Sequence, residues 1–320
     1  MRILANDGIS QKGYDALKEK GFSIITEKVD QKNIIDYINK EKIEVLLVRS
    51  ATKVGKDIID SCPSIKVIGR GGVGMDNIDV EHARKKNITT FNTPSASSTS
   101  VAELVFTHLF SMTRYLFDSN RKMPLYGDSE FKKLKSNYSN GKELFGKNLG
   151  IIGFGRIGKE VARIAIGIGM NIIVHDKFIS NSDIELKYFN GETKKINIKT
   201  VSMDTVLKES DFITLHIPKS EDNPIIGAKE IGKMKNGSGI INASRGGIID
   251  EDALMFALDK EKLSYAGLDV YNNEPKPSIH LMMHNAISLT PHIGAATIEA
   301  QEKIGLELAE QICSFYNIND

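Results

Sequence analysis

The sequence predicts an α/β fold built as two Rossmann-like, doubly wound parallel-sheet domains. Three observations carry this prediction. Short β-rich runs alternate with amphipathic helical patterns over residues 2–94, a second alternation of the same kind begins at Leu149, and a glycine-rich turn joins the first strand and first helix of that second run. Strands that alternate with helices form parallel sheets, because each crossover helix returns the chain to the same end of the sheet.

Taken in order, residues 2–5, 23–29, 44–48, 66–68 and 88–91 read as the strands of the first domain. Residues 95–116 open on a Ser/Thr-rich capping region and then run apolar on several faces, more than one core explains. This is the pattern of a helix that links two domains and also meets a second copy of the chain. Between residues 117 and 147 the periodicity fades among Gly127, Asn137, Asn140 and Gly141, so an exposed connection is expected. Strands of the second domain are expected at 149–153, 171–175, 211–216, 238–242, 265–270 and 286–289. After the second of these, Asn190-Gly191 separates two runs rich in β-branched and aromatic residues, which predicts a β-hairpin over 184–198. The amphipathic run 297–315 predicts a last helix, expected to return to the first domain.

Composition narrows the partners. Lysine and arginine number 42 against 41 aspartates and glutamates, so no global field favours nucleic acid or an anionic membrane, and any anion site has to be local. Cys62 and Cys313 show neither metal-ligand nor redox spacing, which fits a reducing compartment. The opening apolar run is too short for the core of a signal peptide, and no stretch approaches the about 20 apolar residues that cross a bilayer. A cytoplasmic location is expected. His280 and His284 have i, i+4 spacing, but no third ligand accompanies them and no metal is expected.

The glycine-rich turn is Gly153-Phe154-Gly155-Arg156-Ile157-Gly158, directly after an apolar strand and at the mouth of a helix. In such a turn the first glycine permits a tight bend, the second lets a pyrophosphate approach the backbone, and the third lets helix and strand pack closely. The phosphates then meet free N–H groups at the helix start. Asp176 follows the next strand at about the twenty-residue distance at which a carboxylate accepts the adenosine-ribose hydroxyls, and its charge disfavours a 2′-phosphate. The cofactor expected is NAD rather than NADP.

Three later loops each contribute one candidate catalytic residue: Arg245 in Ser-Arg-Gly-Gly, Glu274 in Asn-Glu-Pro, and His292 in Pro-His-Ile-Gly. A histidine suits a proton transfer near neutral pH. Arginine offers a fork of donors for a carboxylate and a neighbouring carbonyl oxygen. A glutamate on the second ring nitrogen would orient the histidine. All three sit just past expected strands, where ligands of open α/β sheets collect. A cofactor site joined to an acid–base set points to an enzyme.

Gly-Phe-Gly-Arg-Ile-Gly, Ser-Arg-Gly-Gly, Gly-Leu-Asp-Val with Asn-Glu-Pro, and Pro-His-Ile-Gly-Ala-Ala-Thr, in this order and spacing, resemble the D-isomer-specific 2-hydroxyacid dehydrogenases over nearly the whole chain. The resemblance implies that Arg245 binds substrate carboxylate and carbonyl, His292 is the acid–base and Glu274 its partner. It extends the cofactor set to Pro218, Ala243, Ser244, Arg245, Asp269, His292, Gly294 and Ala295. Arg49, Ser50, Arg70, Gly72, Val73 and Gly74, with Arg245 and His292, match positions that hold a small phosphorylated 2-hydroxy acid. Val73 stands where some relatives have a hydroxyl residue, so one side-chain contact to substrate is expected to be missing. The resemblance further implies a cleft between the domains and a discontinuous substrate domain, 1–94 with 290–320, around a cofactor domain, 95–289. A homodimer through the 95–116 region is implied as well. The chain ends soon after Phe315, and feedback control through a further C-terminal domain is not expected.

Overall fold

The structure is a computed structural model that describes residues 1–219 and 224–318, so the last two positions of the expected 290–320 segment lie outside the described residues. The chain first alternates through β1 (Arg2–Ala5), α1 (Gln11–Glu19), β2 (Ser23–Ile25), α2 (Ile34–Glu41), β3 (Val45–Val48), α3 (Lys56–Ser61), β4 (Val67–Arg70), α4 (Val80–Lys85) and β5 (Thr89–Asn92). Helices α5 (Ser98–Thr113), α6 (Leu116–Tyr126) and α7 (Phe131–Asn137) come next, then β6 (Asn148–Ile152), α8 (Arg156–Gly167) and β7 (Asn171–His175). There follow β8 (Asn181–Lys187), β9 (Thr193–Lys199), α9 (Met203–Glu209), β10 (Phe212–Leu215), α10 (Ala228–Lys233) and β11 (Ser238–Asn242). The chain finishes with α11 (Glu251–Asp259), β12 (Leu263–Leu268), α12 (Ile279–Met282), β13 (Ile287–Leu289) and α13 (Ile298–Phe315).

Two compact units result: Met1–Ser100 with Ala295–Asp320, and Val101–Gly294. In the first, a parallel sheet has the order β2-β1-β3-β4-β5. Its central strand β3 is buried at every position, as a strand covered on both faces must be. Val45 and Leu47 turn to one core with Leu17, Ile304 and Leu308, while Leu46 and Val48 turn to the other with Ile34, Ile38 and Ile58. Each such large side chain contributes about 1.5–3 kcal/mol by leaving water. Helix α13 packs on α1 glycine against glycine: a Cβ on Gly13 would lie 2.6 Å from Gly305 Cα.

The second unit holds a parallel six-stranded sheet, β13-β12-β11-β10-β6-β7, with its own two cores. The order reverses between β6 and β10, as it does between β1 and β3 in the first unit. Such switch points open a crevice at the carboxyl ends of the strands. The hairpin forms from β8 and β9, antiparallel and in register from Asn181↔Lys199 to Lys187↔Thr193. Its turn covers residues 188–192, where Gly191 takes φ +85° and Asn190 Oδ1 accepts from Glu192 N. Ile184, Leu186, Ile196 and Ile198 pack it onto the core that includes α8 residues Val161 and Ala165.

Residues 117–147 form the exposed connection expected, but it carries two helices that the fading periodicity did not announce, α6 and α7. Helix α6 buries no residue and contains Pro124, and α7 buries only Leu134, so neither has the apolar stripe from which a helix is read. Some strand ends also move: β4 continues to Arg70 because Gly69 and Arg70 pair with Phe91 and Asn92, and β2 stops at Ile25, where its pairing with β1 ends.

Candidate active site

Every strand of the six-stranded sheet delivers a loop to the same edge, because all six run parallel. The glycine turn leaves β6. Gly153 takes φ +96°, and a Cβ there would lie 2.3 Å from His216 O at the end of β10. A Cβ on Gly158 would lie 2.2 Å from Gly153 O, so the third glycine is required for α8 to approach the turn. Gly155 differs: nothing lies within 4 Å of where its Cβ would be. It is the N-cap of α8, no side chain caps that helix, and Arg156 beside it is exposed. Two glycines forced by packing and one facing open space, beside uncapped N–H groups, form a cradle that fits a dinucleotide pyrophosphate.

Asp176 follows β7. Its Oδ2 accepts from Phe154 N at 2.7 Å, and its Oδ1 accepts from Phe178 N and Ile179 N at 2.8 and 3.0 Å. Burial alone would raise its pKa, but the three backbone donors outweigh burial and hold the carboxyl below its usual value. The same bonds tie Asp176 to the glycine turn. They occupy three of a carboxylate's about four acceptor sites, so fewer ribose bonds fit in this conformation than the sequence alone suggests. His216 closes the switch point. Its Nε2 meets Thr214 Oγ1 at 3.0 Å, its Nδ1 is buried without a hydrogen-bond partner, and burial lowers its pKa to about 3. Pro218 follows on the exposed chain.

Arg245, Glu274 and His292 follow β11, β12 and β13, three adjacent strands. Asn242, at the end of β11, shapes the first loop. Its Oδ1 accepts from Ser244 N and Oγ, and its Nδ2 donates to Arg245 O. Gly246 is required next, since a Cβ there would fall 1.8 Å from Tyr271 O. Ala243 is buried at the base of this loop.

The structure brings Glu274 and His292 into direct contact. Glu274 Oε1 accepts from Tyr271 N at 3.0 Å, and Oε2 lies 2.8 Å from His292 Nδ1. A carboxylate only accepts, so Nδ1 carries the proton, and Nε2 is the ring nitrogen left clear of this contact. Both side chains remain partly open to solvent, 43% for His292 and 36% for Glu274. His292 itself has φ +55°, the left-handed region that side-chain-bearing residues avoid. Behind it, the buried Asp269 accepts from Thr290 Oγ1 at 2.6 Å and from Ile293 N and Gly294 N at 2.8 Å each. Two other histidines have partners elsewhere: His175 Nδ1 is 2.8 Å from Val201 O, and His284 Nε2 is 3.4 Å from Asp259.

The remaining predicted residues belong to the first unit, with Ala295 opening its last segment. Arg49 and Arg70 stand at the ends of the paired strands β3 and β4. Asn77 ties them together: its Nδ2 donates to Arg49 O at 2.7 Å and Thr52 O at 2.6 Å, and its Oδ1 accepts from Arg70 Nε at 3.3 Å. Asp7 holds the same turn from the other side, accepting from Arg49 N and Thr52 N. Gly72, at φ +151°, gives the Arg70 guanidinium room, since a Cβ there would lie 2.2 Å from Nη1. Ser50 and Val73 are exposed, and Gly74 follows in the same loop. Sequence reasoning missed Asn77, Asp7 and Asn242, although Asn77 stands only three residues after Gly74. Nothing in a single sequence tells a structural amide from a solvated one.

The family model described as "D-isomer specific 2-hydroxyacid dehydrogenase, NAD binding domain" matches residues 106–294. The chain belongs to the D-isomer-specific 2-hydroxyacid dehydrogenase family. It is therefore an NAD-dependent oxidoreductase. It is 40% identical to a hydroxypyruvate reductase of Thermotoga maritima, over 97% of both chains. It is 36% identical to a D-3-phosphoglycerate dehydrogenase of Synechocystis over 97% of its own length, but spans only 53% of that relative. Among solved structures it is similar to the NAD+-bound 3-phosphoglycerate dehydrogenase of Entamoeba histolytica, with TM-score 0.77, 29% identity, and 99% and 95% of the two chains covered. In the described residues no group of three or more His, Cys, Asp or Glu side chains could hold a metal, and no helix is long and apolar enough to cross a membrane.

Proposed function

We propose that this chain oxidises 3-phospho-D-glycerate to 3-phosphooxypyruvate, the first step of the phosphorylated route to L-serine, with NAD as cofactor. The observation that carries the reading is the pair Arg49 and Arg70 on adjacent strand ends, tied through Asn77. A phosphate brings nearly two negative charges, and guanidinium groups answer them with charge-assisted hydrogen bonds. The Asp176 carboxylate supports NAD over its 2′-phosphorylated form by like-charge repulsion.

In this reading the bound cofactor supplies the hydride acceptor, held by Gly153, Gly155, Gly158 and the first turn of α8. Arg245 grips the substrate carboxylate and the oxygen that becomes the carbonyl. His292 Nε2 takes the hydroxyl proton as that carbonyl forms. Glu274 keeps the imidazole in the receptive tautomer and balances the charge it gains. A single well-placed acid–base group contributes about 10²–10⁴-fold.

A second reading, reduction of hydroxypyruvate or glyoxylate, is favoured by the T. maritima relative, which the chain matches end to end. The two separate on substrate. NADH formation from 3-phospho-D-glycerate but not D-glycerate, with Arg49→Ala lowering kcat/KM for the phosphorylated acid alone, supports the phosphate reading. The lost charge-assisted bonds are worth about 1.5–3 kcal/mol, or roughly ten- to a hundredfold. Turnover confined to unphosphorylated acids, or equal loss on both, overturns it.

A further inference from the structure

Helix α5 carries a buried histidine, His108. His108 is only 1% exposed, yet both its ring nitrogens meet hydroxyls: Nδ1 lies 2.8 Å from Ser288 Oγ and Nε2 3.1 Å from Thr290 Oγ1. Ser288 lies in β13 and Thr290 just past it, on the segment that leads to His292.

The directions of these bonds follow from one buried group. Asp269 accepts from two backbone N–H groups as well as from Thr290, so it acts as a carboxylate with no proton to give. The single hydroxyl proton of Thr290 therefore points at Asp269. Thr290 Oγ1 must then accept from His108, which places the ring proton on Nε2. Nδ1 is left as an acceptor, and Ser288 donates to it. Burial lowers the His108 pKa against the opposing pull of the Asp269 charge, in keeping with a neutral ring. Gly267 makes the placement possible, since a Cβ on that β12 residue would lie 2.9 Å from His108 Cβ.

The chain Ser288, His108, Thr290, Asp269 ends on the N–H groups of Ile293 and Gly294, the two residues after His292. A left-handed backbone costs a side-chain-bearing residue about 1–2 kcal/mol, and it persists only where neighbours over-determine it. Asp269 is such a neighbour, and a polarised chain of hydrogen bonds strengthens its grip.

We propose that His108 is a positioning residue: acting through Thr290 and Asp269, it holds the turn at residues 292–294 in the conformation that presents His292. The kinetic consequence rests on the reading of His292 as the acid–base group. The conformational one does not.

The test uses the full chain and three variants. His108→Leu removes both ring bonds, Thr290→Val removes the next link at nearly constant volume, and His108→Gln offers an amide that can accept from Ser288 and donate to Thr290. Backbone amide exchange at Ile293 and Gly294 is measured in each, alongside kcat. We expect both amides to exchange about tenfold faster in the Leu and Val variants, kcat to fall by a similar factor, and His108→Gln to recover most of both. Exchange at both amides unchanged from wild type in the Leu and Val variants would overturn the proposal, whatever the activity. Should a His292→Asn enzyme keep normal turnover, the acid–base reading falls, and the exchange result still decides whether His108 holds the turn.

Discussion

The glycine turn yields a pair of substitutions whose outcomes should diverge. Adding one methyl at Gly158 puts a Cβ 2.2 Å from Gly153 O, about 1 Å inside a tolerable contact, and the neighbour is backbone that cannot rotate away. Helix α8 must retreat from the sheet, disturbing the fully buried Val161, Ala162 and Ala165 on its inner face. Overpacking of this kind costs about 1–3 kcal/mol of stability, and a displacement of about 1 Å at a binding turn costs roughly 10²-fold in function. The same methyl at Gly155 meets nothing within 4 Å, at an ordinary φ of −74°. Its loss as an N-cap and its gain from a stiffer unfolded chain nearly offset, so stability should stay within about 1 kcal/mol. Yet the methyl fills the space proposed for the pyrophosphate. Losing one charge-assisted bond there is worth about 1.5–3 kcal/mol, a roughly ten- to hundredfold weaker Kd. The chain has no tryptophan, so NADH can be titrated by its own fluorescence against a dark background, with Tm measured beside it. Gly158→Ala should lose both stability and binding, and Gly155→Ala binding alone. Wild-type affinity in Gly155→Ala would refute the argument, because the phosphates would then not approach that face.

Glu274→Gln keeps the shape of the side chain but lets its amide nitrogen face His292 Nδ1, favouring the wrong tautomer; kcat should fall by about 10²-fold or more while NADH affinity holds, and stopped-flow single turnovers check this. His216 has a pKa lowered to about 3, below that of the unfolded chain. Between these two values the unfolded state binds the extra proton, so stability falls as pH drops from about 6.5. Denaturant unfolding should show wild type losing about 1–2 kcal/mol more than His216→Asn between neutral pH and about pH 5, and equal slopes would remove the group from the balance. On α5 to α7, Phe110, Leu116, Leu125 and Phe131 are all exposed apolar side chains, in keeping with a homodimer built on this region; light scattering should give twice the chain mass, and Leu116→Asp with Leu125→Asp should halve it.

What the sequence revealed and what it hid divide along a physical line. Strands such as Asn171–His175 and Ser238–Asn242 were legible to the residue: Ser238–Asn242 is buried at every position, and the edge strand Asn171–His175 still carries a short apolar run, residues 172–174, between Gly169 and Asp176. The hairpin was legible from Asn190-Gly191, since the left-handed φ of Gly191 is a local demand with a local signature. Helices α6 and α7 were not, because a helix that buries almost nothing leaves no stripe. Arg245, Glu274 and His292 could be singled out in the sequence because reactive residue types stand out beside glycine and proline. Their support could not. His108 and Thr290 are 182 positions apart, Asn77 and Arg49 are 28 apart, and no spacing rule connects them.

That asymmetry has a consequence for where function is vulnerable. In the reaction proposed here His292 touches the substrate and must stay partly open, so it cannot be fixed by packing alone, and it sits in a backbone region it would avoid when free. The restraint has to come from polar atoms buried behind the site, here the carboxylate of Asp269 with its three donors, and Asn242 with the Ser244–Arg245 turn on its amide. Such atoms are costly to bury and costlier to leave unpaired. Substitutions at these supports should therefore depress turnover at least as steeply as many changes in the hydrophobic cores, although none of them is placed to touch the substrate in the reaction proposed here.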